Sequence, residues 1–228
     1  MSGRTRRGLG ARWVLIALLV PFAVSCSSYT GVSQKTRELI AKRDYAAAIA
    51  EIDKAPSGPD DLLLLMERGL LHHYNGDYAL SNDAFQAAED KMDELYTRRL
   101  STEAASLVTS DRIRPYVGAH YERVMIHFYR AFNYVALGQR DDALVEARKA
   151  NRQLAFYTQE LENPAYGDDP FIEYFTGLLY AWGGESSDAY VSYRKAEAAY
   201  SAKSEQGGPR VPVTLSDELV RTADALRF

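Results

Sequence analysis

The side chains with which this chain could do chemistry are few, and their spacing argues against most of it. Its 228 residues hold four histidines and one cysteine. His72 and His73 are neighbours, so on a helix they point about 100° apart and cannot easily share a metal ion. His120 and His127 are seven positions apart with Glu122 between them, and neither a His-x-x-x-His nor a Glu-x-x-His pair exists to seed a metal site. A single thiol excludes an internal disulfide and a cysteine-based zinc site. There is no Gly-x-Ser-x-Gly elbow and no glycine-rich loop of the kind that cradles phosphates. The paired carboxylates Asp141-Asp142 and Asp168-Asp169 fall at expected helix starts or in loops, where the positive end of a helix dipole explains them. The sequence therefore predicts no catalytic residue, no cofactor and no metal, and the chain reads as non-enzymatic. One enzymatic alternative stays open, a carboxylate pair for glycan processing, because such pairs are assembled in space rather than in sequence.

The position of Cys26 gives the thiol a different use. Residues 1–12 are basic through Arg4, Arg6, Arg7 and Arg12, and residues 13–20 are a continuous apolar run. Pro21, Phe22, Ala23, Val24 and Ser25 lead into the cysteine. The apolar core is shorter than the roughly 20 residues that a membrane span requires, and it suits the apolar region of a signal peptide. Ala23-Val24-Ser25-Cys26, with a small residue directly before the cysteine, resembles a bacterial lipoprotein signal. That resemblance implies that residues 1–25 are removed, that Cys26 carries a thioether-linked diacylglycerol, and that residues 26–32 are a lipidated tether. Two or three acyl chains anchor far more firmly than one. Thr5-Arg6-Arg7 is followed by the weakly apolar Gly8, Leu9 and Gly10, so ordinary secretory export is expected over twin-arginine export. Ser27, rather than Asp, follows the cysteine, which implies the outer membrane facing the periplasm as the destination in the bacterial envelope.

Hydrophobic residues make up 46% and charged residues 25% of the chain, the composition of a folded globular protein. Lys plus Arg number 27 against 31 Asp plus Glu, and loss of residues 1–25 with their four arginines moves the net charge from −4 to −8. An acidic body is a poor match for nucleic acid or for anionic headgroups.

No stretch of the body alternates apolar and polar residues like a strand. Gly and Pro cluster at 56–60, 163–170 and 207–212, and segments of helical length and period run between these clusters. The segments repeat. Gly69, Ala131 and Gly177 align. Three residues on stand His72, Tyr134 and Tyr180, and seven on stand Gly76, Gly138 and Gly184. Ser81, Ala143 and Ala189 follow, then Phe85, Ala147 and Tyr193, then Ala88, Ala150 and Ala196. A weaker copy precedes them, with Arg43-Asp44-Tyr45 matching Gly76-Asp77-Tyr78. The turns at 43, 76, 138 and 184 are unevenly spaced, which places extra residues between the second and third copies and predicts a long helix over 140–160. Ser101, with Glu103 close behind it, reads as the cap of a helix at 102–108. Ser216 reads as the N-cap of a short helix through Leu219, Val220, Ala223 and Leu226.

This register resembles the tetratricopeptide repeat. It implies an all-α fold, an α-solenoid of helix hairpins over residues 33–200, with an irregular insert at about 91–120 and a linker and C-terminal capping helix over 201–228. Glu-Ala-Ala-Ser-Leu-Val-Thr-Ser-Asp at 103–111, Arg-Pro-Tyr-Val-Gly at 114–118, Tyr-Glu-Arg-Val at 121–124 and Asn-Tyr-Val-Ala-Leu-Gly at 133–138 are similar to an uncharacterised family of bacterial lipoproteins with such helices. The family brings no established activity. In tetratricopeptide repeats the first helix of each hairpin lines the concave face, which implies an inward, largely uncharged stripe. It comprises Leu63, Met66, Leu70, His73 and Tyr74, then Met125, Phe128, Phe132 and Val135, then Phe171, Tyr174, Leu178 and Trp182. Such a stripe could bind an apolar peptide or helix, hold the chain's own insert, or be core. The insert could line the superhelix or act as a structural strap with Tyr116 packed between helices. The expected function is a lipid-anchored scaffold that binds another envelope protein or peptide, by analogy in peptidoglycan or outer-membrane assembly. Tyr74, Phe132, Tyr174 and Trp182 are its candidate anchors, with Arg112 and Arg114 for polar register. A carrier of an apolar small molecule or lipid is the other alternative.

Overall fold

The computed structural model describes residues 29–55, 58, 61–103, 116–160 and 169–227. Among them every regular element is a helix: α1 (Tyr29–Ala41), α2 (Tyr45–Ile52), α3 (Asp61–Asn75), α4 (Tyr78–Glu103), α5 (His120–Ala136), α6 (Arg140–Glu160), α7 (Pro170–Gly183), α8 (Ser186–Glu205) and α9 (Val213–Ala225). Each helix packs chiefly against its neighbours in the chain. The closest pairs are α3 with α4, α5 with α6 and α7 with α8, so these are antiparallel hairpins joined by tight turns.

The hairpin turns repeat one geometry. Arg43, Gly76, Gly138 and Gly184 all have positive φ, between 58° and 87°. In each turn the left-handed residue donates its N–H to the carbonyl three positions back. The next residue donates to the carbonyl five back, as in Gly138 to Val135 (3.0 Å) and Gln139 to Tyr134 (2.8 Å). These bonds satisfy carbonyls that the helix end leaves open. Asp44 then starts α2, its carboxylate accepting from the Ala47 N–H at 3.1 Å. Asp169 does the same for α7, accepting from Phe171 and Ile172, with Pro170 in the first turn.

Inside the hairpins, small residues on one helix meet large ones on the other. A Cβ added to Gly69 would stand 2.7 Å from the Phe85 ring, and one added to Gly177 would overlap the Tyr193 ring. Phe85 and Tyr193 are fully buried there. In the α5–α6 hairpin, Ala131 faces a helix that carries Ala147 in place of the ring, and both alanines are buried. The aligned positions thus exchange volume between partners, which keeps the helices close at native packing density.

Two expected helix starts fall elsewhere. Ser101 lies within α4, which continues through Glu103 because no Gly or Pro interrupts residues 78–103. The last helix begins at Val213 rather than after Ser216, because Pro212 holds the entering backbone at φ −63° and ψ 135°. Leu215 and Leu219 of this helix pack on Tyr193, Ala196 and Tyr200 of α8, and Val220 is left 63% exposed. The helix expected over 140–160 is α6.

Arg43 is the one turn residue of the four with a side chain in the left-handed region. Replacing it with glycine removes a steric penalty of about 1 kcal/mol, partly offset by the greater freedom of glycine in the unfolded chain. Arg43→Gly is expected to stabilise the protein by about 0.5–1 kcal/mol in denaturant titration.

Candidate functional site

The first helices of successive hairpins, α3, α5 and α7, present a continuous run of aromatic rings. His73 is its hub. Its ring stands edge-on to Tyr74, Tyr78, Tyr129 and Phe132, with centroids 5.0–5.8 Å apart. Tyr45 stacks on Tyr74 at 5.7 Å and extends the run toward α2. Phe128 meets Phe132, Phe171 and Phe175 and extends it toward α7. Edge-to-face and offset contacts are the favoured arrangements for such rings. Tyr74 (54%), Phe132 (43%) and Phe171 (47%) are open to solvent. The Tyr129 hydroxyl, beside that of Tyr74 at 3.4 Å, has its pKa raised to about 12 by burial and by that neighbour.

On α5 and α7 this face carries no charge, for a structural reason. Beyond Arg123, α5 carries only His127 and Arg130 as basic or acidic side chains, and both are buried on its other side. Glu173 is the only charged residue of α7 and is buried too.

His73 is held from below. Its Nδ1 donates to Asn133 Oδ1 at 2.6 Å, because the Asn133 amide nitrogen is committed to Ser81 Oγ (2.8 Å) and Asn82 Oδ1 (2.9 Å). Ser81 Oγ in turn donates to the Gly69 carbonyl at 2.7 Å. Asn133 has no solvent exposure, so this chain fixes the hub of the strip to the core across α3, α4 and α5. His72 points to Asp77 instead, as the angle between adjacent helical residues requires.

One turn deeper lies a buried ionic cluster. Glu146 on α6 accepts from His127 Nδ1 at 2.8 Å, and its other oxygen faces Arg130 (3.2 Å) and Lys149 (3.3 Å). Glu89 on α4 pairs with Arg130 at 2.7 Å and with Lys149 at 3.5 Å. Burial pushes the Glu146 carboxyl up, but the hydrogen bond from His127 and the charges of Arg130, His127 and Lys149 outweigh it and hold the carboxyl below its ordinary value.

The expected anchors divide. Tyr74 and Phe132 meet in the strip through His73. Tyr174 instead turns toward the C-terminal helix, with its ring on Tyr193 and its hydroxyl donating to Thr214 at 2.9 Å. Trp182 is 45% exposed in a cleft beside the first turn of α6, lined by Gly138, Gln139 and Arg140 to Asp142. Of the remaining expected inward positions, Met66 belongs to the buried core with Phe85 and Met92. Cys26, Arg112 and Arg114 lie outside the described residues. Tyr116 packs on that same core and donates its hydroxyl to Glu122, which also caps the Ala119 N–H at 2.7 Å. Sequence reasoning set His127 aside as a poor metal ligand and passed over Arg130, Glu146 and Asn133. A charge beside the aligned apolar positions, Glu146 before Ala147 and Arg130 before Ala131, was the available signal. The chain matches no protein-family model, no curated protein and no solved structure.

The Glu146 arrangement has a pH signature. Removing one partner of a buried pair costs about 3 kcal/mol or more, so Glu146→Gln is expected to lower stability by about that amount at pH 7. A carboxyl held low in the fold contributes stability above its unfolded pKa and loses it as pH falls through the folded one. The stability gap between wild type and Glu146→Gln is therefore expected to close as pH drops below the ordinary carboxylate value of 4.5. Urea titrations at neutral and acid pH measure it.

Proposed function

We propose that this protein is a lipid-anchored, non-enzymatic adaptor of the bacterial envelope, built as an α-solenoid of tetratricopeptide-like hairpins in the lipoprotein family named above. The observation that carries the proposal is the aromatic strip from Tyr45 through Tyr74 and Phe132 to Phe171. A soluble body rarely leaves so contiguous an apolar patch open unless something binds there. The occupant is an apolar peptide or helix face of another envelope protein, since along α5 and α7 the strip offers ring faces and no charge for a polar partner to answer. The strip is open along its length, which favours an adaptor over a closed lipid carrier. The equivalent turns and the packing of helices in chain order support the repeat reading. Anchoring rests on the leader and Cys26; among the described residues no helix is long and apolar enough to cross a membrane.

Truncating an aromatic anchor at an interface costs about 2 kcal/mol or more of binding. Phe132→Ala and Tyr74→Ala are expected to lose partner recovery with little change in melting temperature, because both side chains are half exposed. A photo-crosslinker at position 132 is expected to capture one defined protein in intact cells, whereas the same probe at Val145, exposed on α6, captures none. Equal capture at both positions, or a fall in melting temperature that accounts for the lost recovery, returns the strip to structure. Separately, Cys26→Ser is expected to abolish labelling by a palmitate analogue and leave unprocessed precursor. Equal labelling of the mutant would remove the anchor from the proposal.

A further inference from the structure

The second helices of the hairpins form two grooves in equivalent register, and their chemistry differs. Between α4 and α6, Glu89 stands thirteen residues after its turn glycine, Glu146 eight after and Lys149 eleven after. There the two carboxylates neutralise Lys149 and Arg130. Between α6 and α8 the same offsets bring Asn151, Ser192 and Lys195. The lysine is retained and both acids are gone. Asp90, which accepts from Gln86 on α4, has Arg152 as its counterpart on α6.

The result is a cleft of about 410 Å³ lined by Arg148, Asn151, Arg152, Tyr180, Asp188, Val191, Ser192 and Lys195. Arg148 lies over the Tyr180 ring at 5.4 Å and is engaged by Glu185 at 3.1 Å. Arg152 and Lys195 have no ion pair among the described residues, and they face one lining acid, Asp188. The helix position that holds His127 in the first groove holds Glu173 in the second, which is buried and does not line the cleft. The Asn151 side-chain oxygen is buried at the cleft with no hydrogen-bond partner. A buried acceptor left unpaired is costly, and a donor from a ligand would satisfy it.

We propose that this cleft binds a small hydroxylated anion, a sugar phosphate or a sugar acid. The anionic group supplies the charge that Glu89 and Glu146 supply in the first groove and pairs with Arg152 and Lys195. A hydroxyl donates to Asn151, and the carbon face of the ligand lies on Val191 and Tyr180. An anionic polymer is disfavoured by the acidic body around the cleft.

The test is calorimetric titration of the full-length chain, in a non-ionic detergent, with glucose 6-phosphate, glucuronate, glucose and inorganic phosphate. Saturable one-to-one binding of glucose 6-phosphate or glucuronate is expected, with none for glucose and weaker binding of inorganic phosphate. Arg152→Gln and Lys195→Gln are each expected to weaken it about tenfold, the scale of one charge-assisted contact. Arg194→Gln, an exposed neighbour paired with Glu197, is expected to leave it unchanged. Asn151→Ala is expected to weaken the sugar ligands and spare inorganic phosphate. No saturable binding of either charged sugar, or an equal loss in Arg194→Gln, overturns the proposal. Inorganic phosphate binding as tightly as glucose 6-phosphate also overturns it, because the cleft would then read charge alone. None of these readouts depends on a protein partner, so the outcome is separate from that of the aromatic strip.

Discussion

The arrangement of α4, α5 and α6 depends on the cost of burying the Glu146 carboxylate. An ion taken out of water has to be repaid by close partners in good geometry, and the observed disposition of the three helices provides them. His127 and Arg130 come from α5, Lys149 from α6 itself, and Glu89 from α4 completes the balance by taking the other side of Arg130. Apolar contacts alone would tolerate a shift of one helix along another. A cluster in which each cation faces two carboxylates does not. The hydrophobic clusters on either side, around Met92 and Ile126 and around Ala143 and Leu179, then fill the space that this register defines.

The open aromatic strip inherits its order from the same junction. Exposed rings on separate helices would normally be free to change rotamer independently. Here His73, a ring that touches four others, is tied through Asn133 to Ser81 and the Gly69 carbonyl. Asn133 lies on α5 three residues beyond Arg130, so the ionic cluster and the polar chain are successive turns of one buried helix face. The opposite face of α5 is left with Phe128 and Phe132 and no charge. A preorganised apolar surface loses less entropy when it is covered, which makes it a better docking surface than the same rings on mobile side chains.

Much of the fold was legible because backbone constraints are local. The turns at 76, 138 and 184 announce themselves as glycine, and Asp169-Pro170 announces the start of α7. The length of α6 followed from spacing alone. The site was less legible because its decisive contacts join residues far apart in sequence. His73 reads as half of an unpromising histidine pair until Asn133, sixty residues on, is placed beneath it. Tyr174 and Trp182 share the helical register of Phe132, yet α9 draws Tyr174 away and Trp182 stands in a separate open cleft beside the first turn of α6. Register gives the face of a helix; which neighbour covers that face is a tertiary fact. The late start read at Ser216 has the same origin, since a serine before two acids is a good cap and Pro212 had already begun the helix one turn earlier.

The two grooves flanking α6 are linked by its own geometry. At 100° per residue, Glu146 and Lys149 lie on one side of the helix, Arg148 and Asn151 on the opposite side, and Arg152 on the flank between them. Rotation of α6 about its axis is fixed where its charges are buried with Glu89 and Arg130. The same rotation determines where Arg152 and Asn151 point in the cleft toward α8. A closed, internally neutral groove on one side therefore sets the direction of the unpaired cation and the unsatisfied acceptor on the other. The substitutions Glu89 to Asn151 and Glu146 to Ser192 between equivalent positions remove counter-charges without moving the backbone, because both sites lie on helices already held by the small-residue contacts at Ala131 and Ala147 and at Gly177 and Tyr193. On the proposed reading, binding capacity arises from deleting a built-in partner in one of two equivalent grooves, with stability carried by the groove that keeps it.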